Sequence, residues 1–215
     1  MGTAVVPLPQ ISGMSKKSLL YLGFFAAVAV AFYFVVVALV PGFNTKEFPP
    51  VSTVRPFNFT NQDGQQVTNK DVEGKVQAVE YFFTTCKGIC PIMNNNMRMV
   101  YDDLKDEPDF LILSHTCQPE VDSVAQIKKY ADSMKVDTKK WIFLTGRKDS
   151  LYNMARLSYT IDDNKNPLTS IENDFIHSQF FALVDKEGNV RKIYDGLKKS
   201  EVNKMIADAR KLLKP

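Results

Sequence analysis

The stretch YFFTTCKGICPIMNNNM, residues 81–97, decides the fold and raises the question of function. The apolar residues before Cys86 predict the end of a buried strand. Pro91 is typical of the first turn of a helix, where its missing N–H costs nothing, and apolar residues then recur at helical spacing as far as Leu104. The stretch therefore predicts a strand and a helix, joined by a turn that carries Cys86 and Cys90.

On either side of this turn, hydrophobic patterns predict alternating strands and helices. A hairpin is expected over 55–68, with Asp63-Gly64 at its turn, and a second hairpin over 179–196. The remaining strands are expected at 75–83, 110–116 and 141–146, and the helices at 91–104, 120–134, 149–159 and 200–213. This order predicts an α/β fold, a thioredoxin-like mixed sheet flanked by helices on both faces.

The N-terminal part contains a long apolar run without a charged residue, SLLYLGFFAAVAVAFYFVVVALV, residues 18–40. A helix of this length spans about 34 Å, which is enough for a hydrocarbon core of about 30 Å. A cleaved signal peptide is the alternative, but the apolar core of such a peptide usually has only about 7–15 residues. We therefore predict a cytoplasmic tail at 1–17, a transmembrane anchor at 18–40, a linker at 41–51 and a folded domain at 52–215.

The distribution of charge bears on topology and on partners. Lys16 and Lys17 precede the apolar run, and the tail before them contains no acidic residue, which favours a cytoplasmic N-terminus. The domain is then expected to face the periplasm or the outside, held by a single pass through the inner (plasma) membrane. The net charge of the chain is only +3, which gives no electrostatic reason to expect binding to nucleic acid.

The cysteine pair fits two kinds of chemistry. A helix N-terminus offers unpaired N–H groups and a partial positive charge, and both favour the thiolate, which is the nucleophile and the metal ligand. Cys86 and Cys90 could therefore cycle between dithiol and disulfide, or hold a soft metal such as Cu(I) with a third ligand from elsewhere. The plain alternative is a stabilising disulfide or two buried thiols, although a bridge across three residues removes little loop entropy.

The chain offers two histidines as a third ligand, His115 and His177. His115 lies inside or at the end of the predicted strand at 110–116. His177 follows a segment, 164–175, that fits no predicted element, and loops of this kind often carry function. We favour His177, because its loop can fold over the end of the sheet. A set of two cysteines and one histidine is typical of copper, and it can also bind zinc with a fourth ligand.

Four blocks of the sequence resemble successive blocks of the Sco/SenC family: GKVQAVEYFFTTCKGICPIMNNNM (74–97), LSHTCQPEVDS (113–123), WIFLTG (141–146) and HSQFFALVDKEGNV (177–190). Proteins of this family are membrane-anchored copper chaperones with a thioredoxin fold that help to assemble the dicopper centre of cytochrome c oxidase. The resemblance implies that Cys86, Cys90 and His177 bind copper. It also implies two partners, the copper-bearing subunit of the oxidase and an upstream copper donor.

The chain departs from the family pattern after its second predicted central strand. Where the family usually reads Asp-Pro-Glu-Arg-Asp, Gln118 and Val121 take the places of the first Asp and the Arg. Cys117 stands just before them, where an aliphatic residue is common. Cys117 falls at the carboxyl end of a strand expected to lie beside the Cys86 strand, so a thiol at the edge of the site is one interpretation. We favour a buried thiol that packs as a small hydrophobic side chain and is not a metal ligand.

Three other functions compete with copper delivery. A thiol–disulfide oxidoreductase acting on extracytoplasmic cysteines would use Cys86 and Cys90 as its redox pair, although the usual motif is C-x-x-C. A peroxiredoxin would need P-x-x-x-T-x-x-C, but Val79 and Phe83 occupy its Pro and Thr positions. A purely structural domain on a membrane tether would leave the two cysteines and the histidine without a purpose. We therefore expect a binding and delivery protein and not a turnover enzyme.

Overall fold

The computed structural model of the protein describes residues 16–39, 49–162 and 178–214. The chain divides into two compact units, Met1–Glu47 and Phe48–Pro215. In the first unit, helix α1 covers Lys16–Leu39. Its part Lys16–Val37 is long and apolar enough to cross a membrane, by length and composition, and it coincides with most of the run predicted as an anchor.

The second unit contains eight strands and five helices among its described residues. The strands are β1 (Ser52–Thr53), β2 (Asn58–Asn61), β3 (Gln66–Thr68), β4 (Val76–Phe82), β5 (Phe110–Thr116), β6 (Trp141–Thr145), β7 (Phe180–Val184) and β8 (Asn189–Asp195). The helices are α2 (Asn69–Val72), α3 (Cys90–Leu104), α4 (Val124–Met134), α5 (Lys148–Leu157) and α6 (Lys199–Leu213). The strands form one sheet in the order β1-β8-β7-β4-β5-β6-β2-β3.

Strands β4, β5 and β6 form the parallel centre of this sheet, and the outer strands are antiparallel. Every residue of β4 and of β5 is buried, which explains why both strands appear in the sequence as nearly continuous apolar runs. The two strands pair in register as far as Phe82 and Thr116. Because parallel strands end at the same edge of a sheet, the segments that follow Phe82 and Thr116 are brought together.

Helices cover both faces of the sheet, and each face has its own core. Helices α3, α4 and α6 pack on one face, where Met97, Ile127 and Met205 are buried. Helix α5 packs on the other, where Tyr152 and Phe59 of strand β2 are buried. The predicted thioredoxin-like mixed sheet flanked by helices is therefore confirmed.

Two features of the fold differ from the sequence-based expectation. Strand β1 and helix α2 were not predicted, because elements of two and four residues are too short to show a hydrophobic period. Helix α4 begins at Val124 and not at residue 120. Ser123 is its N-cap and accepts a hydrogen bond from the Gln126 N–H at 3.4 Å, and the residues before it form a turn.

Candidate metal centre at the cysteine turn

The two cysteines of the predicted site lie in the turn between β4 and α3. The Cys86 N–H donates a hydrogen bond to the Phe83 carbonyl at 3.2 Å, which folds the chain back after the strand. Cys90 is the first residue of α3, one position earlier than predicted, and Pro91 follows it in the first turn. The strand, turn and helix predicted from this stretch are therefore confirmed, with Cys86 partly exposed and Cys90 buried.

The two thiols have different environments and different acidities. Burial tends to raise the pKa of Cys86, but hydrogen bonds from the Cys90 side chain and from the N–H groups of Cys90, Gly88 and Ile89 outweigh it, so the pKa is lowered. Burial and the hydrogen bond to Cys86 raise the pKa of Cys90. The pair therefore consists of one partly exposed thiol with a lowered pKa and one buried thiol with a raised pKa.

A cavity of about 300 Å³ opens beside the cysteine turn. Its lining includes Cys86, Cys90 and also Cys117, the residue that follows β5. Two aromatic side chains, Tyr81 and Phe83, contribute to its wall. Cys117 is only 3% exposed, so the expectation that it is a buried free thiol is confirmed. All three cysteines of the chain consequently meet at one small cavity.

The buried carboxylate of Asp122 ties the cysteine turn to the turn after β5. It accepts hydrogen bonds from the hydroxyl groups of Thr84 and Thr116, both at 2.5 Å, and from the Thr84 N–H at 3.3 Å. Thr84 lies two residues before Cys86, and Asp122 is fully buried. Sequence analysis missed this role, although an acidic residue beside a helix start was the available signal. Asp122 therefore fixes the position of the backbone that carries Cys86.

Replacing Asp122 with asparagine is expected to lower the free energy of unfolding by roughly 2–4 kcal/mol, because charge-assisted bonds are lost in a buried site. The same change should accelerate alkylation of Cys86 by iodoacetamide under native conditions, since the turn loses its anchor. Denaturant unfolding and mass spectrometry measure the two effects. The control is Asp102→Asn on the exposed side of α3, which should change stability by less than about 0.5 kcal/mol. Equal stability of both variants would contradict this role.

Gln118 and Val121, which depart from the family pattern, lie in this same turn, but their side chains do not hold it in place. The Gln118 N–H donates to the Thr116 hydroxyl at 2.9 Å, a contact made by the backbone and not by the side chain. The Asp122 N–H donates to the Gln118 carbonyl at 2.9 Å. The Val121 side chain is 45% exposed. These backbone hydrogen bonds of the turn therefore do not involve the side chains of Gln118 and Val121.

A second carboxyl group missed by sequence analysis is Glu80, fully buried in the middle of β4. The Ser114 hydroxyl donates to its Oε1 at 2.7 Å, and the Trp141 Nε1–H in turn donates to the Ser114 oxygen at 2.8 Å. Burial raises the pKa of Glu80 from its ordinary value of 4.5 to about 7, despite the Ser114 bond. The signal in the sequence was an acidic residue inside an otherwise apolar strand.

Glu80→Gln is expected to stabilise the protein at pH 8 by up to about 3 kcal/mol and to have little effect at pH 4.5. The sign follows from the raised pKa, because the folded state favours the protonated acid. The loss of folding stability caused by ionising Glu80 is absent below pH 4.5, grows as the pH rises towards 7 and is complete above pH 7. Denaturant unfolding of both proteins at several pH values measures the difference. The prediction would be refuted if the difference in free energy of unfolding between variant and wild type did not vary with pH. It would also be refuted if Glu73→Gln, at an exposed position, stabilised the protein equally.

His115, the alternative third ligand, lies in the core of the α5 face. Its ring stacks on Tyr81 at 5.1 Å between centroids and meets the edge of Phe59 at 5.3 Å. Its Nε2 lies 3.3 Å from the Tyr159 hydroxyl. Burial lowers the pKa of His115 to about 3, so the ring is neutral. These contacts are those of a packing residue.

The third ligand that we favour, His177, lies outside the described residues, as does the segment 164–175 before it. The complete predicted set of Cys86, Cys90 and His177 therefore stays a prediction. Among the described residues, no group of three His, Cys, Asp or Glu side chains is placed to hold a metal ion. The described part of the site thus supplies two sulfur ligands.

Comparison with known proteins places the chain in a family. A sequence model of the SCO1/SenC family matches residues 46–214, most of the chain. The chain belongs to the SCO1/SenC family. The resemblance seen in the four sequence blocks is thereby confirmed, and this SCO1/SenC chain has its cysteine turn within the matched region.

Individual relatives of this SCO1/SenC chain agree with that assignment. It is 34% identical to the SCO1 protein homolog of Bacillus subtilis over 158 residues, which are 73% of this chain and 81% of that protein. Among solved structures it resembles BsSco, which is described with a disulfide switch and as a member of the Sco family of cytochrome c oxidase assembly proteins. The two sequences are 32% identical and the TM-score is 0.65, over 78% of this chain and 98% of the other. It also resembles yeast Sco1 with copper bound, at 26% identity and a TM-score of 0.57, over 74% and 89% of the two chains.

Proposed function

We propose that this chain is a membrane-anchored copper chaperone that delivers copper to the dicopper centre of cytochrome c oxidase, or prepares the cysteines of that centre. The observation that carries the proposal is the pair of free thiols at the start of α3, one of them with a lowered pKa. Its support from outside the chain is membership of the SCO1/SenC family. The copper-bearing subunit of the oxidase and an upstream copper donor are the partners we propose.

Copper is the cargo of such a protein, and the thiol pair suits it. Cu(I) is a soft ion that two thiolates can hold. A harder Cu(II) ion prefers an imidazole in its ligand set, and we propose His177 for that position. Binding requires both sulfurs as thiolates, so copper must displace the proton that the buried Cys90 holds. A disulfide between the cysteines would remove both ligands at once.

An anaerobic Cu(I) titration of the full chain in detergent tests the proposal. The fully reduced protein should bind one equivalent, and protein carrying a Cys86–Cys90 disulfide should bind none tightly. Competition with a Cu(I) chelator follows the binding. A reduced, folded chain that takes up no copper would overturn the copper proposal.

A second candidate function is thiol–disulfide exchange with an extracytoplasmic protein. The asymmetry of the pair favours it, because a redox pair uses an accessible thiol with a lowered pKa, as at Cys86, and a buried thiol with a raised pKa, as at Cys90. The two candidates differ in one outcome. If the chain bound no copper but reduced a protein disulfide at a useful rate, the oxidoreductase would replace the chaperone.

The proposed location is the inner membrane, with α1 as the anchor and the folded unit outside the cytoplasm. Lys16 and Lys17 at the start of α1 support this orientation. We expect carbonate-washed membranes to retain the full-length chain, and an impermeant protease to digest the folded unit in spheroplasts of an expressing bacterium. A mature, soluble protein that begins near residue 30 would show that the apolar run is a cleaved signal peptide.

A further inference from the structure

The third cysteine of the chain shares the cavity of the other two. Cys117 lines this cavity together with Cys86 and Cys90, and it is only 3% exposed. Its backbone is fixed at this place from two sides. The Cys117 N–H donates to the Phe82 carbonyl at 2.7 Å, and the Cys117 carbonyl accepts a hydrogen bond from the Tyr152 hydroxyl at 2.9 Å. A thiol is therefore held at the cavity wall beside the redox-capable pair.

Of the two other cysteines, Cys90 is the better partner for Cys117. Both side chains are buried, whereas Cys86 lies on the exposed side of the turn. Cys90 and Cys117 therefore share the buried part of the cavity wall.

We propose that Cys117 is a third redox-active thiol of this site, which exchanges with the Cys86–Cys90 disulfide to give a Cys90–Cys117 disulfide and a free Cys86. In this step the Cys117 thiolate attacks Sγ of Cys90, after its proton has passed to water. The Cys90–Cys117 bond forms as the Cys86–Cys90 bond breaks, and Cys86 leaves as a thiolate. One disulfide is consumed and one is formed, so no external oxidant or reductant is needed.

The difference in exposure between the three cysteines gives this exchange a consequence. Cys86 is partly exposed, whereas Cys90 and Cys117 are buried. The product keeps its disulfide in the buried part of the site and leaves its only free thiol where a partner can reach it. Cys86 is then available for a mixed disulfide with a cysteine of another molecule. The inference concerns the three thiols alone and does not rest on copper binding.

Trypsin makes the connectivity readable, because Lys87 lies between the two cysteines of the turn. Cleavage after lysine and arginine places the three cysteines on separate peptides, 76–87, 88–98 and 106–128. The test uses the full chain in detergent, with Cys86→Ser, treated with oxidised glutathione as a small disulfide oxidant. One protein thiol forms a mixed disulfide with glutathione, and the other displaces it, so that oxidised glutathione becomes two glutathione thiols.

The expected result is a monomer in which peptides 88–98 and 106–128 are joined and no free thiol remains. The matched control, Cys86→Ser with Cys117→Ala, should keep glutathione on Cys90. The unmodified chain tests the same exchange without any change that could alter folding. After prolonged incubation of its oxidised form, the joined peptides 88–98 and 106–128, which report the Cys90–Cys117 disulfide, should appear beside the joined peptides 76–87 and 88–98, which report the Cys86–Cys90 disulfide. The proposal is overturned if Cys86→Ser retains glutathione on Cys90 with Cys117 unreacted, or if the unmodified chain shows only the 76–87/88–98 pair.

Discussion

Replacing Cys90 with alanine is expected to lower the affinity of the reduced chain for Cu(I) by more than about 100-fold. Loss of a group that only supports a metal ligand typically costs about 10–100-fold, and loss of one of two thiolates should cost more. Cys86→Ala should have an effect of the same order, because either change leaves the soft ion with a single sulfur from the pair. The measurement is anaerobic competition with a Cu(I) chelator, using the full chain in detergent.

Cys117→Ala is the matched control for this experiment, since it removes a thiol from the same cavity. We expect it to leave the copper stoichiometry unchanged and to lower stability by about 1 kcal/mol, the cost of a small cavity at a buried position. Circular dichroism shows whether each variant is folded. Wild-type affinity in folded Cys90→Ala would remove Cys90 from the ligand set, and loss of copper from folded Cys117→Ala would add Cys117 to it.

His177→Ala is expected to abolish or shift the thiolate-to-Cu(II) charge-transfer absorption, whereas Cu(I) still binds at about one equivalent. The reason is the difference in softness between the two ions, because two thiolates suffice for Cu(I) and Cu(II) prefers an added imidazole. Absorption spectra of the Cu(II)-loaded chain and a Cu(I) titration of the reduced chain measure the two effects. Equal damage to both oxidation states would speak against a role specific to Cu(II).

The second histidine provides the control, because its place in the core predicts a different effect. His115→Ala removes a ring packed between Tyr81 and Phe59, so it should lower the free energy of unfolding by roughly 2–4 kcal/mol. Its Cu(II) spectrum, recorded well below the unfolding temperature, should match that of the wild type. If His115→Ala lost the absorption band and His177→Ala kept it, the assignment of the histidine would be wrong.

The central part of the fold could be predicted because its signals are local. The sequences of β4 and β5 are apolar enough to indicate buried strands, and Pro91 marks the start of a helix within one residue. The position of both cysteines in the strand-to-helix turn follows from these signals alone. The same reasoning predicted a buried Cys117, since it directly follows a fully buried strand.

Contacts between distant parts of the chain could not be predicted in this way. The carboxylate of Asp122 accepts a hydrogen bond from Thr84, which lies 38 residues earlier in the sequence, and no local pattern predicts this contact. The contact also explains the late start of α4, because Asp122 is used in the turn and Ser123 becomes the cap. The expected adjacency of the two strands indicated that Cys117 could lie at the edge of the site, but the shared cavity depends on the in-register pairing of β4 with β5, which no sequence motif encodes.

The two outermost strands of the sheet are very short, with two residues in β1 and three in β3. An outer strand leaves N–H and C=O groups unpaired along one side, and a long, flat one recruits other chains by strand addition. Within the described residues, neither flank of this sheet offers more than a few such groups as a template. The edges of this sheet therefore give neighbouring copies of the protein little backbone to pair with by strand addition.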